Sequence, residues 1–225
     1  MVKKIRLIGM EMDNFTLQEE MTRSETFYDK QELNIIRTVS IKVLSLAAGI
    51  QAVRDGIRQA DLLVVGDREI LTEAGIYSSR RLREASEHGF MREFLSRMLI
   101  RRSSFFLVAQ NQEELEEFRE FLSTEYETMT FAGNYVLDVC GGDHDMMVNE
   151  INAAAPDVVL SVLASPQEDT FLLQEKEKIH ARVWYSLGTD YKNMKKKPSF
   201  IFWFQQLIHK GRFKNAVHQY EDRHE

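Results

Sequence analysis

An apolar run, PDVVLSVLA, stops at Ala164, and Ser165-Pro166-Gln167-Glu168 follows at once. Serine at an N-cap, proline at the first helical position and glutamate at the third form a capping box, with proline where a helix tolerates it best. The same helix start would offer free N–H groups to an anion such as a diphosphate. Glu168 works against that use, because a carboxylate already present competes with phosphate for the positive end of the helix.

Asp67, just beyond DLLVV, is a second candidate. A carboxylate there could accept the proton of an attacking hydroxyl. It reads equally well as an N-cap or turn aspartate held by local N–H groups. The run CGGDHD, residues 140 to 145, holds zinc-ligand types, but no second cluster at ligand spacing accompanies it. Gly-Gly-Asp there reads as a loop followed by an N-capping aspartate, and Cys140 as a small buried apolar residue. Arg80, Arg81 and Arg83 in SSRRLR either face an anionic substrate or form a solvated helix face.

These residues must be held by elements, and the pattern of the chain supplies them. Apolar runs rich in β-branched residues alternate with polar segments of helical period. KKIRLIGM precedes TLQEEMTRSETFYDKQEL, and DLLVVGD follows AAGIQAVRDGIRQA. SFFLVAQ precedes NQEELEEFREFLSTEY, where Leu115, Phe118 and Leu122 share one helical face and Asn111 stands as N-cap three residues before Glu114. ETMTFAGNY is β-like, DHDMMVNEINAAA helical, and DVVLSVLA and ARVWYSLG are strands. The alternation predicts an α/β fold: a mainly parallel sheet covered by helices on both faces, with DLLVV, FFLV, VVLSV and VWYS as central strands. Ligands of such sheets bind outside the carboxyl ends of the strands.

Composition bounds the function. With 44% hydrophobic and 28% charged residues the chain is of the soluble globular kind, and 225 residues suit one domain with a small appendage. A single cysteine excludes an intrachain disulfide and points to a reducing, cytoplasmic setting. A net charge of −6 argues against general nucleic-acid binding. The start MVKKIRLIGMEMD has too short an apolar run for a secretory signal, and no stretch approaches the ~20 apolar residues of a membrane span. The end differs in kind. Phe200, Phe202, Trp203, Phe204 and Leu207 stand among Lys195, Lys196, Lys197, Lys210, Arg212 and Lys214. That segment either docks on the domain or a second subunit, or inserts at a membrane interface with its basic residues on the headgroups.

EINAAAPDVVLSVLASPQED resembles the most specific block of the WecG/TagA/CpsF bacterial glycosyltransferases. LIGMEMDNFTLQEEM, RQADLLVVGDREILTEAGI and SSFFLVAQNQEELEEF are similar to three weaker blocks, in the same order, over roughly residues 5 to 190. The resemblance implies a Rossmann-like domain over 1–197 and a basic, helical C-terminal appendage over 198–225 at the inner membrane face. It implies transfer of N-acetylmannosamine or a related sugar from a UDP-sugar to a polyprenyl-diphosphate-linked acceptor, with no cofactor or metal.

The family's proposed catalytic aspartate opens an Asp-Gly pair, which is reversed here as Gly66-Asp67. Its Thr-Pro-Asn is Thr38-Val39-Ser40, its Gly-Gly is Ala109-Gln110, and its Pro-Lys-Gln-Glu is Pro166-Gln167-Glu168-Asp169. Carried over residue by residue, the expected catalytic group is Asp67, and the substrate contacts are Thr38, Ser40, Arg83 (or its neighbour Arg81), Ser165, Gln167 and Glu168. Lys196, Lys197, Trp203 and Arg212 would meet the membrane or acceptor. The altered polar motifs leave a second reading beside the enzyme: a degenerate member that keeps the fold and serves as a binding or scaffolding partner.

Overall fold

Strands without polar alternation have no face to show to water, and the chain uses them inside a covered parallel sheet. The computed structural model describes residues 4–192 except 31 and 142. The strands are β1 (Lys4–Leu7), β2 (Met10–Asp13), β3 (Asn34–Val39), β4 (Leu62–Val65), β5 (Ser104–Ala109), β6 (Thr130–Val136), β7 (Val158–Ser161) and β8 (Val183–Ser186). Six of them form one sheet in the order β4-β3-β8-β7-β5-β6, every pairing parallel. The helices are α1 (Leu17–Glu25), α2 (Ile41–Ala47), α3 (Gln51–Gln59), α4 (Arg68–Glu73), α5 (Ser79–Ser86), α6 (Gly89–Ile100), α7 (Gln112–Glu125), α8 (His144–Ala154) and α9 (Gln167–Glu175). The expected Rossmann-like α/β class is what the chain adopts.

Period-2 alternation divides the strand residues between two faces. Ile36, Val64, Leu107, Val183 and Tyr185 pack under α1, α6 and α7. On the other face Val39, Leu63 and Val65 meet α2 to α5, while Ile35, Phe106, Val108, Val159 and Trp184 meet α8 and α9. Arg37 lies on β3 between Ile35 and Val39, so a buried polar strip separates the two apolar clusters of this face.

Two sequence expectations need correction. KKIRLIGM is a strand, but it pairs antiparallel with β2 in a separate hairpin and does not enter the main sheet. Lys4 and Arg6 alternate with buried Ile5 and Leu7, the pattern of a strand with one wet face. Positive φ at Ile8 and Gly9 closes the turn. The first strand of the main sheet is instead β3. The second correction concerns DLLVV, which is an edge strand rather than a central one. It reads as central because both its faces are covered: Ile5, Leu7, Met10 and Met12 of the hairpin share a cluster with Leu63 and Val65, while Leu62 and Val64 pack on the opposite face with Met21, Phe90 and Phe94.

The chain runs from β3 outward to β4, crosses to β5 and β6, and returns through β7 to place β8 beside β3. That reversal of winding opens a crevice at the carboxyl ends of β3, β4, β7 and β8. Among the described residues no helix is long and apolar enough to cross a membrane. The expected appendage, and with it Lys196, Lys197, Trp203 and Arg212, lies outside the described residues.

Candidate active site

Two cavities open at the carboxyl edge of the sheet and share Thr38 and Leu187 in their walls. The first, about 420 Å³ of empty space continuous with solvent, lies between β3, β4, β8 and the helices α1 and α5. The second, about 400 Å³, lies between the starts of α2 and α9.

The second cavity is floored by the polar strip. Arg37 is 2% exposed and Asp169 not at all, and the two form an ion pair, with Nη2 also 3.2 Å from Oδ2. Arg37 Nη2 donates to Ser165 Oγ at 2.7 Å, while its Nε has no hydrogen-bond partner among the described residues. Glu168 is buried beside them and accepts from Trp184 Nε1 at 2.9 Å. Burial pushes its carboxyl above the usual range, an effect only partly offset by the Arg37 charge and by hydrogen bonds from Ser161 and Trp184. Ser40 caps α2, accepting from Val43 N at 3.4 Å, and the exposed Lys42 stands further on in the same wall.

The capping box expected at Ser165 is not made. A helix does start there, but its N-cap is Pro166 and no side chain caps it. A buried guanidinium needs acceptors more than an exposed helix end needs a cap, so Arg37 claims Ser165 Oγ. Glu168 turns inward and accepts from the buried Trp184 Nε1, which has no water to bond. Gln167 is exposed and lines neither cavity.

In the first cavity Arg81 is buried and donates from Nη1 to Glu84 Oε2 at 2.8 Å. Its Nε and Nη2 have no hydrogen-bond partner among the described residues, and Nη2 lies 3.9 Å from Glu20 Oε1. Glu20 is 4% exposed, and burial, with Glu84 and Glu19 nearby, pushes its carboxyl up to about 8 despite Arg81. His88, at the start of α6, is pushed down to about 4 by burial and by the Arg92 charge. Thr38 Oγ1 donates to Tyr185 Oη at 3.4 Å on the cavity floor. Arg83 is exposed on α5 and faces neither cavity; of the expected arginine positions it is Arg81 that enters.

Gly66 explains the reversed Gly-Asp pair. Its N–H donates to Val39 O at 2.9 Å, and a Cβ at this position would stand 2.8 Å from Thr38 Cγ2. A side chain there would require Thr38 to shift. The carboxylate stands one residue later, and Asp67 Oδ2 accepts the backbone N–H of Ile41 at 2.7 Å. Asp67 thus fastens the first turn of α2 and is absent from both cavity walls. Asp67→Ala is expected to lower folding stability by about 1 kcal/mol, the usual worth of such a cap, read as a lower urea midpoint with an unchanged slope.

Asp143 caps α8 as its place in the sequence suggests, accepting from Met146 N at 3.1 Å. Among the described residues no group of three or more His, Cys, Asp or Glu is arranged to hold a metal ion.

A parallel sheet with a two-chambered crevice at its switch point suits group transfer between two substrates, and the comparison with known proteins names the kind. The family model of the WecG/TagA/CpsF glycosyl transferases matches residues 5–191, most of the chain. The chain belongs to this family. Relatives of this WecG/TagA/CpsF protein include N-acetylglucosaminyldiphosphoundecaprenol N-acetyl-beta-D-mannosaminyltransferases of Staphylococcus aureus strains NCTC 8325 and COL. Each is 21% identical over 210 residues, covering 88% of this chain and 80% of the relative. The strain MRSA252 enzyme matches to the same extent. The sequence did not single out Glu20 and Arg37, which line the two cavities, or Asp169 and Trp184, which bind Arg37 and Glu168 behind them.

Proposed function

We propose that this chain transfers N-acetylmannosamine or a closely related sugar from a UDP donor to a polyprenyl-diphosphate-linked acceptor. Family membership and the named activity of the Staphylococcus aureus relatives support the reaction class. The observation that carries it in this chain is the pair of adjoining cavities at the carboxyl edge, one with Lys42, the Arg37 guanidinium and serine hydroxyls around Glu168, the other with the Glu20 carboxylate beside Arg81. The donor diphosphate takes the second cavity, near Lys42, Ser40, Ser165 and the Arg37 guanidinium. The hydroxyl to be glycosylated enters the first, and the two substrates meet at Thr38. Calorimetric titration with UDP and UDP-N-acetylmannosamine tests the donor site; absence of heat with both compounds ends the assignment.

Glu168 tunes that site. A diphosphate is repelled by its ionised form and not by its protonated form, and burial shifts ionisation upward in pH. Glu168→Gln keeps an acceptor for Trp184 and removes the charge. UDP binding should strengthen by about 1 kcal/mol at alkaline pH and little at acid pH. Affinity unchanged across the pH range would remove the diphosphate from this cavity.

The membrane side of the proposal rests on residues 198–225, whose aromatics and lysines suit an anionic leaflet at about 1 kcal/mol per basic residue near the surface. A chain ending at Lys197 should stay folded and lose binding to anionic vesicles. If the full chain fails to sediment with such vesicles at low salt, the segment serves another purpose.

A further inference from the structure

We propose that Glu20 takes the proton from the acceptor hydroxyl as the sugar is transferred, an inference that rests on the transferase reading above. The first cavity has carboxylates at Glu20 and Glu84 in its wall. Glu84 is already engaged by Arg80, by Arg81 and by the Leu17 N–H. The charge nearest to Glu20 is Arg81 Nη2, at 3.9 Å and so beyond hydrogen-bond distance. Asp67 is bound to the start of α2, and Gly66 has no side chain, so neither brings a carboxylate here.

The surroundings suit proton transfer. Val64, Phe90 and Leu187 form an apolar wall, and Arg81 presents buried Nε and Nη2 atoms without hydrogen-bond partners among the described residues. Those donors can hold an acceptor oxygen beside Glu20. The groups facing Glu20 are Arg81 and Glu84 from α5, Glu19 from its own helix, His88 before α6 and Tyr185 from β8. His88, pushed down to about 4, is a far weaker base than a carboxylate held near 8. Tyr185 is held protonated by burial.

In the step itself the hydroxyl oxygen bonds to the anomeric carbon of the donor while that carbon's bond to the β-phosphate oxygen breaks. The bonding pair departs with UDP. The hydroxyl proton passes to a Glu20 carboxylate oxygen and from there to water.

Glu20→Gln in the full chain should lower kcat at least ~100-fold, within the range for a positioned base, and leave UDP affinity within about twofold. Wild-type kcat should climb with pH towards a plateau above about 8, and the variant should lose that climb. Glu20→Asp, which retracts the carboxylate by one methylene, should fold and lose at least about tenfold; it serves if the glutamine variant does not fold. A Glu20→Gln enzyme that keeps a third of its kcat, or the wild-type pH climb, overturns the role of Glu20 and leaves the transferase reading intact. A wild-type chain that binds donor and transfers nothing overturns both.

Discussion

Glu20→Gln should make the folded protein more stable than wild type, by an amount that grows with pH. Glu20 is 4% exposed and its carboxyl is held near 8 by burial. In the unfolded chain it ionises at about 4.5. Between those values the folded state keeps a proton that the unfolded state has lost, so wild-type stability falls as pH rises. The contribution is fully present below pH 4.5 and lost by about pH 8. Each pH unit between the two values costs wild type about 1.4 kcal/mol, so the variant should gain roughly 4 kcal/mol over it at pH 8 and almost nothing at pH 4. His88 acts in the opposite sense: its depressed value costs stability as pH falls from 6.5 towards 4. It is common to both proteins and cancels in the difference. Urea midpoints across pH 4 to 9 check this. A difference that does not change with pH would mean that Glu20 titrates like an exposed carboxylate. A more stable protein with a slower reaction is the trade expected of a strained functional carboxylate.

Asp169→Ala should act in the other direction and nearly as strongly. It leaves Arg37, 2% exposed, with Ser165 Oγ as its remaining hydrogen-bond partner and a buried charge faced only by Glu168, whose carboxyl burial already pushes towards the neutral form. Breaking a buried pair from one side costs about 3–5 kcal/mol. The pair depends on close approach of α3 and α9, because a Cβ at Gly56 would overlap Asp169 Oδ1. Gly56→Ala should therefore also destabilise, through the same ion pair. Thermal melts of the single variants and of Asp169→Ala combined with Arg37→Met separate the charge from the packing. Recovery in the double variant assigns the loss to the stranded guanidinium. A double variant no better than Asp169→Ala would assign it to the cavity left behind.

The fold is legible in the sequence where one local pattern decides. Leu62–Val65, Val158–Ser161 and Val183–Ser186 are apolar runs too short for helices, and Asn111 and Asp143 cap helices as their positions suggest. The site is illegible where burial is a tertiary fact. Arg37 looks like a surface residue until Asp169, 132 positions away, is brought beside it. A signal does exist: arginine interrupts Asn-Ile-Ile-Arg-Thr-Val, a strand buried at every position. Glu20 sits in a Glu-Glu pair on an amphipathic helix; Thr16-x-x-Glu19 announces a capping box in the sequence, but nothing local tells that Glu20 faces inward. The Ser-Pro-Gln-Glu stretch announces a helix start but not how that start is capped, because the competing demand of Arg37 comes from another strand.

Sugar transfer from a UDP donor to a lipid-linked acceptor leaves a label that can be followed. Its most direct test is incubation of the full chain with isotope-labelled UDP-N-acetylmannosamine and polyprenyl-diphosphate-linked N-acetylglucosamine, following label in the lipid fraction and UDP in solution. Label should enter the lipid in step with UDP release, one for one, and disappear when the acceptor is omitted. Donor bound with no labelled lipid and no UDP, for this and related UDP-sugars, would mean that the chain is not a transferase of this kind.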